Sequence, residues 1–223
     1  MAVMVQTDEQ IQQEVLRELA YDASVQANEI GVAVKDGIVT LTGTVDSFLK
    51  RWAAEEAAHR VRGVKAVAND IEVRLPATSE RTDADIAAAV TRALDWDAFV
   101  DTDRVEVTVA KGWVTLRGEV DYGFQRADAE RVTRRITGVR GVTNLLVVKP
   151  RHKPSPDSVK RDIEEALVRS AETDAKRINV EVHGDKVVLT GTVRSWAERQ
   201  EAERVAWSAP GVAQVENRIV VSV

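Results

Sequence analysis

A short apolar stretch that occurs three times constrains the fold of this chain more than any other feature. It reads IVTLTGTV at residues 38–45, WVTLRGEV at residues 113–120 and KVVLTGTV at residues 186–193. The central glycines of the three copies are 75 and then 73 residues apart. Self-similarity at a nearly fixed spacing indicates that one supersecondary unit has been repeated. The 223 residues therefore divide into three small units.

The same order of patterns surrounds each copy. In the first unit Ile11, Val15 and Leu19 have helical spacing, and Thr7 precedes them at a capping position. Alternating apolar residues then predict two strands joined by a tight turn. An alanine-rich helix that ends near Gly63 and a final strand complete the unit. We therefore expect an α+β fold of three tandem αββαβ units, each a three-stranded mixed sheet with two helices packed on one face.

Short polar segments separate the three units. The predicted domains are residues 6–75, 81–149 and 155–223, with linkers at 76–80 and 150–154. Both linkers contain proline, which favours an extended backbone. A linker of about six residues reaches only about 20 Å, so the units must be neighbours in space.

Composition argues against several classes of function. The net charge is −5, and no unit has an excess of lysine and arginine over acids, so we expect no nucleic-acid binding. The chain has no cysteine, which removes disulfides, thiolate catalysis and cysteine zinc sites. The three histidines, His59, His152 and His183, are scattered, and no HExxH or GxSxG motif occurs. We expect no catalytic activity, no metal and no cofactor.

The ends and hydropathy of the chain suggest a compartment. Residues 1–8 contain neither a basic segment nor an apolar stretch of signal-peptide length. No run approaches the roughly 18–20 apolar residues of a membrane-spanning helix. The sequence predicts a cytoplasmic protein, or a periplasmic one if a longer precursor is trimmed.

Two recurring motifs resemble those of a known family. The pattern V-x-L-x-G-x-V is followed in each unit by a helix and then by Gly-Val-x-x-Val-x-Asn, and the two glycines are 20 residues apart in all three copies. This combination resembles the BON domain family (bacterial OsmY and nodulation), whose element order is also αββαβ. The resemblance implies a non-enzymatic binding module that is associated with osmotic and envelope stress and with anionic phospholipid or a membrane surface.

Two repeated polar or small residues are expected to be structural. The mid-strand glycines, Gly43, Gly118 and Gly191, predict a bulge or a close approach of the following helix. The asparagines of the closing motif lie at inward positions, where an amide must be hydrogen-bonded, for example to a turn or a helix end. They are Asn69, Asn144 and Asn217.

Four arginines of the second unit are the candidate lipid-binding residues. They lie on its second predicted helix and are Arg126, Arg131, Arg134 and Arg135. Arginine binds phosphate oxygens well, so they could hold an anionic headgroup. Asp128 and Glu130 lie among them, so an ordinary solvated helix face is the alternative.

An apolar group on the second unit is the candidate interface. Strand alternation places Trp113, Leu145 and Val147 on the sheet face away from the helices. Exposed apolar patches usually mark interfaces, so we expect packing against a neighbouring unit or a second chain, with membrane contact as an alternative. The sequence thus leaves two functions open: binding of anionic phospholipid, or a protein–protein scaffold or oligomer assembled through outer sheet faces.

Overall fold

The computed structural model describes residues 6–98, 102–152, 154–170 and 175–222. Residue 153 of the predicted second linker and residue 223 of the predicted third domain lie outside these ranges. The described chain contains the same five main elements three times, in the order helix, strand, strand, helix, strand. The predicted α+β class with tandem αββαβ units is therefore confirmed.

The element bounds follow the repeat closely. The first unit consists of α1 (Asp8–Tyr21), β1 (Ile30–Lys35), β2 (Ile38–Val45), α2 (Phe48–Arg60) and β3 (Ala66–Val73). The second consists of α3 (Asp83–Trp96), β4 (Val105–Ala110), β5 (Trp113–Val120), α4 (Gly123–Arg134) and β6 (Gly141–Val148). The third consists of α5 (Pro156–Arg169), β7 (Ile178–His183), β8 (Lys186–Val193), α6 (Trp196–Ser208) and β9 (Gln214–Val221).

The repeated stretch forms the central strand of each sheet. The strand orders are β1-β2-β3, β4-β5-β6 and β7-β8-β9. The first pair in each sheet is antiparallel and the second is parallel, as a hairpin followed by a helical crossover requires. In the first unit the hairpin turns at Asp36 and Gly37, both with positive φ, and the Asp8 carboxylate accepts hydrogen bonds from both of their backbone N–H groups. The hairpin is thereby tied to the start of α1.

Each unit has its own hydrophobic core between its sheet and its two helices. In the first unit the buried stripe Ile11, Val15 and Leu19 of α1 packs in one cluster with Val39 and Leu41 of β2. The second helix contributes four buried alanines, which are Ala53, Ala54, Ala57 and Ala58. Because alanine is small, α2 lies close to the sheet and its longer side chains point elsewhere.

The three units meet through their second helices. Trp196, the first residue of α6, stacks on His59 near the end of α2, with ring centroids 5.4 Å apart. Gly123, the first residue of α4, lies against Trp207 of α6. Phe48, the first residue of α2, packs against the buried core of the second unit. The start of each second helix thus faces another unit, and the three junctions form a closed ring.

The outer sheet faces do not make these junctions. Trp113, Leu145 and Val147 remain 45%, 48% and 52% exposed. The expectation that this patch packs against a neighbouring unit is therefore corrected, because α2, α4 and α6 supply the contacts between units. The alanine-rich faces of these helices cover their own sheets, which leaves their large side chains for the neighbours.

Candidate functional site: a basic band on the second unit

The repeated strand glycines accommodate a backbone oxygen from the turn before the first strand. A Cβ atom built on Gly43, Gly118 or Gly191 would lie 2.1, 2.0 or 2.0 Å from that oxygen. The oxygens belong to Glu29, Arg104 and Arg177. The close approach expected from the sequence is present, but the neighbour is this preceding turn and not the following helix. The three glycines hold the start of each hairpin and do not form a ligand site.

Each closing asparagine joins its edge strand to the second helix. In the second unit Asn144 Nδ2 donates to Arg126 O at 2.8 Å and to Glu130 Oε2 at 3.2 Å, and Asn144 Oδ1 accepts from Leu146 N. Asn69 and Asn217 make the corresponding bonds in their own units. The partners are a backbone carbonyl in the first turn, at the N-terminal end of the helix, and a glutamate side chain one turn further along it.

Two of the four candidate arginines point into the junctions between units. The Arg126 guanidinium lies 5.7 Å from the ring centroid of Trp207. The Arg134 guanidinium lies 4.2 Å from the ring centroid of Trp52 and pairs with Glu130 at 3.1 Å. Only 12% of the Arg134 side chain is exposed, and this burial lowers its pKa. Both positions are suited to cation–π contacts between units.

The other two arginines differ from each other. Arg131 is exposed but pairs with Asp128 at 2.8 Å and with Asp97 at 3.8 Å. Arg135 is exposed and lines an open groove between α3 and the end of α4. The structure therefore does not gather the four arginines into one patch, and of the four only Arg135 lines this groove.

Basic and apolar side chains, together with Asp85, line the groove at Arg135. Arg81 and Arg92 line it together with Arg135, and Ala88, Ala89 and Ile136 supply apolar surface. Arg81 and Arg92 donate only to backbone carbonyls, of Thr78, Glu80 and Ala88. Within the described residues none of the three arginines has a carboxylate at ion-pair distance. Their guanidinium groups are thus available to an anion.

A second small groove continues this surface. It is lined by Lys111 and Arg140 and shares Arg81 with the first groove. We call these five residues the basic band: Lys111, Arg140, Arg81, Arg135 and Arg92. The band runs from the hairpin turn of the second unit, across the start of α3, to the groove between α3 and α4.

Three acids border the band, and two of them are already engaged by the backbone. The Asp83 carboxylate accepts from the N–H groups of Lys111 and Gly112 at 2.8 Å each. Asp85 caps α3, and hydrogen bonds from the Thr82 hydroxyl and N–H lower the pKa of its carboxyl. The third acid is Glu80. Asp83 thus holds the hairpin turn and Asp85 completes the capping box of α3, and neither forms a salt bridge with a residue of the band among the described residues.

All five positions of the band are basic only in the second unit, whereas three of them are also basic in the first unit and none in the third. The equivalent residues of the first unit, at the repeat spacing, are Asp36, Lys65, Gln6, Arg60 and Arg17. There Arg60 is paired with Glu18 and Asp22. The equivalent residues of the third unit are Gly184, Ala213, Pro154, Ser208 and Glu165, none of which is basic. A shared fold therefore carries this surface in one copy only.

Sequence reasoning missed four of the five residues of the band. Only Arg135 was among the candidates, because the other four are spread over a linker, a helix, a turn and a loop. The signal that could have found them is a position-by-position comparison of the second unit with the third, in which each basic residue of the band is matched by a neutral or acidic one.

An exposed tryptophan lies next to the band. Trp96 ends α3 one helical turn after Arg92 and is 90% exposed. A large aromatic side chain that is so fully exposed is unusual, and tryptophan beside cationic groups suits a membrane–water interface. In the first unit the equivalent residue is Tyr21, which is 86% exposed.

The apolar patch on the outer sheet face is a separate surface. The Trp113 indole Nε1 donates to Thr143 Oγ1 at 2.7 Å. The ring lies over Gly141, where an added Cβ would come within 2.4 Å of it. Leu145 and Val147 extend the apolar surface along β6. This face is flat and presents no groove residues of the basic band.

Neither a metal-binding cluster nor a membrane-spanning helix is found in the described ranges. No group of three or more His, Cys, Asp or Glu side chains there could hold a metal ion. No helix in those ranges is both long and apolar enough to cross a membrane.

Comparison with curated proteins gives two relatives. Osmotically-inducible protein Y of Escherichia coli (strain K12) is 28% identical over 130 residues, which cover 56% of this chain and 65% of the relative. The chain thus spans slightly less than two thirds of that relative. An uncharacterized protein in the gshII 5' region of Anaplasma centrale is 29% identical over 125 residues, with 55% of this chain and 83% of the relative covered.

Comparison with solved structures gives a weak likeness. A structure of CdsD, a structural protein of the type III secretion system of Chlamydia trachomatis, is 13% identical and covers 94% of this chain and 91% of that chain. Its TM-score is 0.27, which is too low for the likeness to bear on fold or function.

The match to a family model establishes the family of this chain, which the individual relatives do not. The model of the BON domain matches three times, at residues 7–74, 82–150 and 156–222. Each match contains one αββαβ unit of the structure. The resemblance seen in the repeated motifs is confirmed, and the chain belongs to the BON domain family.

Proposed function

We propose that this chain is a non-enzymatic BON protein that acts in the response to osmotic stress by binding anionic phospholipid surfaces through its basic band. The observation that carries the proposal is that only the second unit has a basic residue at all five positions of the band, and that none of the five has a carboxylate at ion-pair distance among the described residues. The name of the osmotically inducible relative supports the stress role.

The chemistry of the band fits a phosphodiester headgroup. Guanidinium groups bind phosphate oxygens through paired, charge-assisted hydrogen bonds. Each basic residue near an anionic membrane contributes about 1 kcal/mol, so the five together could supply about 5 kcal/mol. Trp96 would lie at the level of the headgroups, with its ring against the acyl boundary. The net negative charge of the whole chain does not oppose this, because charges beyond about 10 Å are largely screened.

Vesicle sedimentation tests the proposal. We expect the protein to sediment with phosphatidylglycerol-containing vesicles and not with pure phosphatidylcholine, and to be released by high salt. The double variant Arg92→Glu/Arg135→Glu should bind at least tenfold more weakly, because it reverses two charges at about 1 kcal/mol per charge. Arg17→Glu, the same position as Arg92 but in the first unit, is the matched control and should bind normally. Equal binding of the double variant and the control would contradict the proposal.

The stress role has its own test. We expect the protein level to rise when the cells that make it are moved to high osmolarity, and cells without it to grow more slowly there. An unchanged protein level and unchanged growth at high osmolarity would argue against the osmotic-stress role that the relative's name describes.

A scaffold function is the second candidate, and the outer face of the second unit favours it. Trp113, Leu145 and Val147 are each about half exposed on the same outer face, with Leu145 and Val147 four and six residues beyond Gly141, the strand partner of Trp113. Association of two copies through this face would give a higher mass by light scattering, and Trp113→Asp would abolish it. A monomeric mass for both proteins would argue against assembly through this face.

A further inference from the structure

The junction between the first and third units differs from the other two because no linker spans it. The first and second units are consecutive in the chain, as are the second and third. The hydrogen bond from Trp196 to Lys65 instead joins residues 131 positions apart. Non-covalent contacts alone close the ring of second helices at this point, so the ring can open here without local unfolding of any unit.

Three contacts hold this junction. The Trp196 ring stacks on the His59 ring with centroids 5.4 Å apart and an interplanar angle of 25°. Trp196 Nε1 donates to Lys65 O at 2.8 Å. Gln200 Nε2 donates to Glu56 Oε1 at 3.3 Å. Trp196 also packs against the buried core of the first unit, so the indole is the main anchor of the third unit on the first.

The surroundings of the His59 imidazole at this junction disfavour its protonated form. His59 Nδ1 is buried and has no hydrogen-bond partner among the described residues. Burial lowers the pKa of His59 below its ordinary value of 6.5, and Glu55 and Glu56 of its own helix oppose this only in part. His59 is the histidine that stacks on a side chain of another unit.

Charged residues of the neighbouring elements also lie at this junction. From α6, the Arg199 guanidinium lies 4.7 Å from the Trp196 ring centroid, so that indole already faces one cation. From α4, Arg134 interacts with Glu56 and thereby reduces the field of that carboxylate at His59. Lys65 presents its backbone carbonyl to Trp196. A proton on His59 would bring a second positive charge to the same ring.

We propose that the junction of His59 with Trp196 is an acid-sensitive latch, which holds the ring closed when His59 is neutral and releases the third unit from the first when His59 is protonated. The direction of the pH dependence follows because the imidazole is buried and neutral in the closed junction. Closure is fully stabilised above the pKa of a free histidine, about 6.5, and weakens as the pH falls below that value. The linked junctions contain no histidine at the corresponding positions, which are Arg134 and Trp207.

Distances between spin labels test the latch directly. The chain has no cysteine, so introduced cysteines give unique labels. The pair Thr42→Cys/Thr190→Cys reports on the first and third units at equivalent positions of their central strands. The pair Thr42→Cys/Arg117→Cys reports in the same way on the first and second units, which a linker joins.

We expect the first pair to shift to longer and broader distances when the pH falls from about 7.5 to about 5.5, across the titration range of histidine. The second pair should change much less. His59→Phe keeps an aromatic ring against Trp196 but cannot be protonated, so in that background the first pair should not respond to pH. Three results would overturn the latch: no shift in the first pair, an equal shift in both pairs, or an undiminished shift in His59→Phe.

Discussion

Replacing Gly191 with alanine should destabilise the third unit strongly, and Gly184 in the same unit provides the control. Gly191 has φ of +134°, and a Cβ built on it lies 2.0 Å from Arg177 O. Gly184 has φ of +67°, and nothing lies within 4 Å of its Cβ position. Both substitutions place alanine at positive φ, but only Gly191→Ala also meets a backbone atom.

The two positions therefore differ in the steric contact that an added Cβ makes and in the backbone conformation that alanine must adopt. Alanine in the left-handed region at position 184 costs about 1–2 kcal/mol. At position 191 the backbone region, which is almost restricted to glycine, costs about 1–3 kcal/mol. Displacing the turn that carries Arg177 O adds about 1–3 kcal/mol, as overpacking does elsewhere. We expect Gly191→Ala to lose about 4 kcal/mol and Gly184→Ala to lose about 1 kcal/mol.

Urea denaturation followed by tryptophan fluorescence measures the difference, since Trp196 and Trp207 both lie in the third unit. With a slope of about 2 kcal/mol per molar urea, the midpoint of Gly191→Ala should fall by about 2 M. If Gly191→Ala and Gly184→Ala shift the midpoint equally, then the contact with the preceding turn does not explain the repeated glycine.

Three further predictions follow from single contacts. Asn144→Leu should destabilise the second unit by about 2–4 kcal/mol in chemical denaturation, because it leaves a helix carbonyl, a carboxylate and a strand N–H without their partner; a loss under 1 kcal/mol would contradict this. Gly123→Leu should weaken the packing between the second and third units, because a Cβ at residue 123 lies 2.7 Å from Trp207. Trp207 should then be more accessible to a fluorescence quencher. Unchanged quenching would count against the ring of junctions between the units. Hydrogen bonds, first from Lys186, lower the pKa of Glu216 to about 2, so this carboxylate contributes stability above about pH 4.5 that is lost toward about pH 2. Lys186→Met should raise its midpoint in an NMR titration, and an unmoved midpoint would refute the assignment.

Much of the fold could be predicted from the sequence because the relevant signals are local. The alternation in Val39, Leu41 and Val45 specifies which face of β2 is buried, and the stripe in α1 specifies its partner. The repeated asparagine also indicated an inward amide with a partner on a neighbouring element. Both inferences depend on periodicity within about ten residues, which a single chain displays.

The site was less predictable because its residues come from separate elements. The run of arginines on α4 looked continuous in the sequence, but Arg126 and Arg134 face the junctions while Arg131 is paired. The helix is polar on several sides, so periodicity did not show which side meets another unit. Only Arg135 joined the basic band, together with residues that lie on other elements.

The sequence by itself determined the repeated unit, its order of elements and its buried face, since burial of apolar side chains follows the local periods of helix and strand. Only the tertiary structure decided how the units associate and which charges remain free. Those outcomes depend on contacts between residues as distant as His59 and Trp196, and on which carboxylates lie within reach of each arginine. Such contacts are set by the packing of whole units, which no local pattern records.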